Sequence, residues 1–589
     1  MRKSTALIVI VIIVLLAGGY ELKRLLPSIT VTVPDYQEPG QIVELDQGWS
    51  DAQRMQFHHT SQGAKLIPYS WFMVLEQPCF SLTACEKFSD PHYLDRFGFL
   101  ASKQDEKWNP AGLPVGFARQ EDFHDPMTGK NYPAMGLTCA ACHTAELHYG
   151  KYAVRVEGAP ATIEVTQFQK ALILALGFTQ KFPFRYSRFE RNVLGPDATA
   201  QQKADLKQTF DQFMANGLTE KNSTEAAYVI EAGFSRTDAL TRIGNQVFAV
   251  DMNYYGPDNL KKAEAPVRFP QIWDASWFTW VQYDSSIADP MVRNIGEALG
   301  VRAAAKLYGP NALDFDNSVN VEGLKTMEEL LRGPGPFQGL SSPKWPAVFP
   351  ALDSAKVAKG AQLYRQHCQG CHLPPIPELL TDLNSPQPTY WWKNSEGKWF
   401  LKVTDHKQAD IGTDPHEAED FVERKADSRD LKQGVVSAAV GLDFVTKAIR
   451  KRAYDKMALT PEQQLEWNGF HAPGDVAVRA EAIYKARPLN GIWAVAPYLH
   501  NGSVPNLYAL LSPQSERPGT FWLGHKEFDP VKVGYDSSEL KGGYLFDTKC
   551  TGNLNTGHEF KDGPRGQGVI GPALSPDDRW ALIEYLKSL

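Results

Sequence analysis

The sequence predicts a mainly α fold with long loops, arranged as two domains in one chain. Three observations carry this. The chain has 589 residues, too many for one ordinary core. A run dense in Pro and Gly (Arg332-Gly333-Pro334-Gly335-Pro336-Phe337, then three prolines between Pro343 and Pro350) interrupts it near the middle. Apolar residues recur at helical spacing in several stretches, whereas alternating strand patterns are few.

From the N-terminus, Arg2 and Lys3 precede an apolar run from Ala6 to Gly19. This is the pattern of an export leader, and at about 14 residues it is short for a full membrane span. Residues 1–25 are therefore read as a signal peptide or an N-terminal membrane anchor. The body is expected in the periplasm or outside the cell, touching the inner membrane through the leader if that stays uncleaved. Residues 26–130 look irregular. Helices are expected over 165–176, 199–215, 224–247, 291–307 and 326–331. The second domain opens with a helix over 354–368 and ends with one over 575–589, with Pro576 in its first turn and Asp577 and Asp578 at its positive end. The domains are set at 26–345 and 346–589.

Composition narrows the function classes. The apolar fraction of 43% and charged fraction of 22% are those of a folded globular protein. A net charge of −7 offers no basic footprint for nucleic acid.

Two short strings carry the chemistry: Cys139-Ala140-Ala141-Cys142-His143 and Cys368-Gln369-Gly370-Cys371-His372. Two thiols three positions apart can form thioethers to one porphyrin, and the following His then sits under the iron. With 7 Cys and 14 His in the chain, about 0.002 such strings are expected by chance. Each string is read as a haem c attachment site, giving two covalent haems, one per domain, with His143 and His372 as proximal ligands. Cys79 and Cys85 are close enough in sequence for a local disulfide, and Cys550 is left over.

The string Tyr484-Lys485-Ala-Arg487-Pro-Leu-Asn-Gly-Ile-Trp493-Ala-Val-Ala-Pro497-Tyr498-Leu499-His500-Asn501-Gly502-Ser503-Val-Pro505 resembles the segment with the loop that follows the second haem in the bacterial di-haem cytochrome c peroxidase superfamily. Gly136-Leu137-Thr138 before the first motif and Arg293-Asn294-Ile295-Gly296-Glu297-Ala298-Leu299-Gly300 are similar to further family segments, and the match covers roughly residues 90–589. Within the superfamily, the long chain and Gly557-His558-Glu559 look most like the rubber oxygenase and di-haem fatty-acid dioxygenase branch. The resemblance implies two cytochrome c-like haem domains and addition of O₂ to a carbon–carbon double bond of a hydrophobic molecule or polymer. Peroxide reduction with electrons from a cytochrome or small redox protein is the alternative within the superfamily. A non-enzymatic electron carrier is the third reading. Calcium between the haem domains occurs in relatives, but no acidic cluster here has a calcium-ligand pattern.

The sixth iron ligands separate these readings. No Met follows Met457, so the methionine ligand usual after the second haem is missing. The resemblance instead assigns His558 opposite His372. His500 is read as a hydrogen-bonding residue over the haem edge, and Arg487 as a partner for a propionate. Between His148 and His367 there is no His, leaving Met214, Met252, Met291 and Met327 as the only alternatives for the first haem. The favoured reading is an open position there. By family position Trp280 is the expected aromatic between the haems, Ile295 the pocket wall, and Glu297 a possible acid–base group.

Overall fold

The computed structural model describes residues 31–36, 40–79, 81, 83–228, 230–471 and 475–589. The segment read as a leader lies outside them, and among the described residues no helix is long and apolar enough to cross a membrane.

Within the described part of the segment read as irregular, strands and helices form. Strand β1 (Gln41–Glu44) leads to helix α1 (Asp51–His59), started by a capping box in which Ser50 and Gln53 satisfy each other's backbone N–H groups. Strands β2 (Ile67–Pro68), β3 (Phe117–Asp125) and β4 (Lys130–Leu137) form a sheet in the order β2-β4-β3. The β3–β4 hairpin delivers the chain to the first motif. After it, β5 (Thr144–Tyr149) and β6 (Tyr152–Glu157) pair antiparallel, and β1 adds parallel to β6. Cys79 and Cys85 are bonded to each other, and the Arg185 guanidinium donates to the Cys79 carbonyl at 3.2 Å.

Helices α2 (Val165–Lys181), α3 (Pro183–Leu194) and α4 (Ala200–Thr224) follow. The helix expected over 224–247 breaks. α4 ends at Thr224, Gly233 and Ser235 take positive φ (75° and 63°), and helix resumes only at Ala239–Asn245. Next come α5 (Pro290–Gly300), capped by Asp289, and α6 (Val321–Arg332). The Pro/Gly run 333–353 contains no helix or strand.

Helix α7 (Ser354–His367) carries the second motif at its end. Strand β7 (Thr404–Lys407), α8 (His416–Glu423), α9 (Ala438–Lys456), β8 (Ile483–Ala486) and the final helix α10 (Pro576–Ser588) complete the elements that shape the site. β7 and β8 pair antiparallel, with His406 opposite Tyr484. α10 lies directly on α7: a Cβ on Gly360 would sit 2.0 Å from the Ala581 carbonyl oxygen, so only Gly permits this approach.

Helix covers 39% and strand 17% of the chain, so the fold is mixed α/β, not mainly α. The strands escaped the sequence reading because most are two to four residues long, too short to display a period of two. The apolar core crosses the Pro/Gly run. Met291, Val292, Ile295 and Leu299 of α5 belong to one buried cluster with Leu442, Val445 and Ile449 of α9, and α5 and α9 are in contact.

Candidate haem-binding site

The two motifs open on one cavity. Its volume is about 270 Å³, near the lower end of the range of about 300–1,000 Å³ for small-ligand pockets. Cys139, His143, Cys368, Cys371 and His372 all line it.

At the first motif, Thr138 caps the turn Cys139–Cys142 by accepting the Ala140 N–H at 3.3 Å, and its hydroxyl donates to the His58 carbonyl at 3.0 Å. The His143 carbonyl accepts the Gly158 N–H at 2.8 Å, tying the motif to the end of β6. Burial lowers the His143 imidazole to about 4. The Pro270 carbonyl partly opposes that shift, but no hydrogen bond closes, and Nδ1 is buried without a partner. The Phe269 ring lies 6.4 Å away.

At the second motif, α7 presents Cys368 and Cys371, and Tyr364 donates from its hydroxyl to the Leu373 carbonyl at 2.7 Å. His372 Nδ1 lies 2.9 Å from the Arg487 carbonyl oxygen. A carbonyl only accepts, so Nδ1 carries the proton and Nε2 keeps its lone pair free. Across from it stands His558, with ring centroids 6.1 Å apart. Metal–imidazole bonds of about 2 Å on both sides of one ion would put two centroids at roughly this separation. His558 is held with φ 44°, its N–H bonded to the Ile411 carbonyl at 2.9 Å. A Cβ on the preceding Gly557 would strike the Gly412 carbonyl carbon at 2.2 Å. The Arg517 guanidinium gathers the carbonyls of Asn555, Gly557 and His558 at 2.6, 2.9 and 3.1 Å. Burial, with His372 next, lowers His558 to about 3, and burial also lowers His372. Burial thus favours the neutral form of all three imidazoles, the form a metal requires. Burial raises the thiols of Cys139, Cys142, Cys368 and Cys371, and none is in a disulfide. Free paired thiols, the unpartnered Nδ1 atoms of His143 and His558, and a cavity shared by both motifs fit covalently attached haem at these positions.

Arg487, His500 and Glu297 line the same cavity. Arg487 is half-buried, with its guanidinium turned to backbone carbonyls. It donates to the Gln271 and Trp273 carbonyls at 2.6 and 3.0 Å, and burial lowers it to about 10. One residue thus anchors His372 through its backbone and the segment after Phe269 through its side chain. His500 stacks on Tyr484 at 4.2 Å between ring centroids. Glu297 accepts from Gln282 Nε2 at 3.0 Å, and burial raises its carboxyl.

Trp280 and Ile295 are not among the cavity-lining residues. Arg293 and Glu297, one turn apart, share the lining face of α5, so Ile295 points the opposite way into the core, where it is fully buried. Trp280 lies beneath the Arg479 guanidinium, 3.9 Å from its ring. Of the four methionines, Met327 lines the cavity, while Met252 and Met291 lie in the core and Met214 packs on a second apolar cluster. The wall also holds residues the sequence did not single out: Arg268, Tyr283, Lys485, His406, and Glu328, which is ion-paired with Arg293. A lone His or Tyr carries no sequence signal, but Lys485 and Arg293 sit inside the strings that carried the resemblance. Among the described residues no group of three or more His, Cys, Asp or Glu side chains forms an ion site.

A family model described as RoxA-like, cytochrome c-like matches residues 483–522, which run from β8 through Arg487 and His500. Such a segment implies covalently bound haem c. The chain is 28% identical over 333 residues to uncharacterized protein y4iM of Sinorhizobium fredii, covering 54% of this chain and 63% of that one. It is 44% identical over 596 residues to uncharacterized protein y4iJ of the same organism, covering 97% of each. By that full-length match the chain belongs to the family of y4iJ, and it carries the RoxA-like, cytochrome c-like segment within it.

Proposed function

We propose that this protein is a di-haem c-type oxygenase that adds O₂ to a carbon–carbon double bond of a hydrophobic substrate, a polyisoprenoid or unsaturated fatty acid, at the haem held by Cys139, Cys142 and His143. The carrying observation is an asymmetry. His558 faces His372 at 6.1 Å, whereas among the described residues no second imidazole pairs with the His143 ring. A haem iron with an open position binds O₂ or peroxide, and one with two protein ligands carries electrons. Leu324, Met327, Leu331, Phe278 and Val281 line the cavity; they would exclude water and hold an apolar chain. His372 and His558 would close the second iron.

One observation favours a second reading, a peroxidase. Glu297 is a buried carboxyl, held by Gln282, on the wall shared with Cys139 and His143, and it could donate a proton to a peroxide oxygen. Oxygen uptake with an unsaturated lipid or polyisoprene, measured beside peroxide consumption with reduced cytochrome c, separates the two. We expect uptake on an alkene. Peroxide turnover without uptake on any alkene would replace the first reading by the second. Two low-spin haems, with Met327 ligating the first, would overturn both.

A further inference from the structure

Behind the cavity wall lies a buried acidic pair that the reaction above does not use. Asp284 sits in a turn whose flanking residues Gln282 and Ser285 take φ of 67° and 54°. Asp284 is 1% exposed and Glu417, on α8, is 6% exposed. Asp284 Oδ2 and Glu417 Oε2 are both buried without a hydrogen-bond partner, as are the Tyr283 and Ser286 hydroxyls beside them. Two buried carboxylates without a dedicated cation cannot both stay ionised cheaply.

The groups facing the pair are known from each neighbouring element. Asp238, capping the 239–245 helix, is satisfied by the Thr241 and Ala265 N–H groups. Asp414 is satisfied by His416 and the Leu554 N–H. Tyr484 donates to the Asp414 carbonyl at 2.7 Å. Among the described residues Lys485 is the basic side chain against the pair; burial lowers it to about 7, and its amine nitrogen donates to the Gln282 and Trp280 carbonyls at 2.6 and 3.4 Å. Arg487 and Arg268 stand beyond Tyr283 and are committed to carbonyls. On the solvent side Asp405 takes the Ser285 hydroxyl at 2.5 Å and Arg479 at 2.6 Å.

The pair adjoins the second haem site. The Ile411 carbonyl holds the His558 N–H, and Thr413 lines the cavity just before α8 begins. Tyr484, in contact with the same segment, forms part of the wall.

We propose that Asp284 and Glu417 form a proton-binding site coupled to the electron at the His372/His558 centre. When that centre gains one electron from a one-electron donor, the pair takes up one proton from solvent through Ser285 and Asp405. When the electron leaves, the proton returns. Charge at the buried wall is unchanged over the cycle. Burial raises Asp284 and, with Asp284 next, raises Glu417 well above the ordinary carboxyl range, which favours a proton on the pair. The inference rests on reading the second site as an electron-carrying haem but not on the oxygenase reaction.

The test is a potentiometric titration of the holoprotein with mediators, without substrate, across pH 6–8. The expected second-haem potential falls with pH, approaching about 59 mV per unit for one proton per electron. Asp284→Asn and Glu417→Gln, both isosteric, should each flatten that slope and remove a protonated-carboxyl band from the reduced-minus-oxidised infrared difference spectrum. A flat wild-type slope, or a slope and band unchanged in both variants, would overturn the proposal. Neither outcome touches the oxygen-uptake assay, so the two readings fail separately.

Discussion

Around Cys368–His372 the chain brings a second imidazole across from the first. Around Cys139–His143 it brings charged and amide groups instead: Arg293 ion-paired with Glu328, and Glu297 held by Gln282. The two five-residue strings are nearly alike, yet their surroundings differ in the property that governs reactivity, the number of neutral bases available to one metal. The motif specifies attachment. The partner comes from far along the chain, 186 residues after His372 at the second site, because 558 − 372 = 186.

The sharpest way to break the comparison is His558→Ala. It should convert one of two haem equivalents from low to high spin in the electron paramagnetic spectrum and leave the other as it was. If both spectra stay unchanged, His558 is not a ligand. Arg487→Ala probes what the two sites share. It removes two charge-assisted hydrogen bonds to the Gln271 and Trp273 carbonyls, so a stability loss of about 3 kcal/mol is expected in chemical denaturation. The signals of both haems should move together. A change confined to one would mean the sites are mechanically independent.

Glu297→Gln gives the smallest effect. Burial holds the Glu297 carboxyl above its ordinary value, so the folded state keeps a proton that the unfolded chain has already released. Its cost to stability is therefore absent below the ordinary glutamate range and grows as pH rises towards the folded value. The variant should show a weaker loss of Tm between pH 4 and 7 than the parent. Identical pH profiles would remove Glu297 from the set of buried acids.

Much of this was legible locally. Helix α10, the Pro/Gly run and both C-x-x-C-H motifs follow from neighbouring residues, and the expected ends of α7 and α10 fall within a residue of those observed, whereas the helix expected over 291–307 stops at Gly300. The break after Thr224 was not legible, because nothing in the pattern marks Ser235 as left-handed. Ile295 was assigned to the pocket by family position, although its spacing from Arg293 puts it on the other face of α5. The Asp284–Glu417 pair joins residues 133 positions apart, since 417 − 284 = 133. No window of sequence contains it.

The contact of α10 on α7 has a consequence for biogenesis. Leu586, three residues from the C-terminus, lines the cavity, and Gly360 allows α10 to lie directly against the helix that carries Cys368. The Cys368–His372 site is therefore completed by a helix that lies about two hundred residues further along the chain. With that helix docked, Cys368 and Cys371 are only partly exposed, so we expect an attachment enzyme to reach them more readily before docking. A truncation removing α10 should leave those cysteines open to the enzyme for longer while depriving the bound cofactor of its cover.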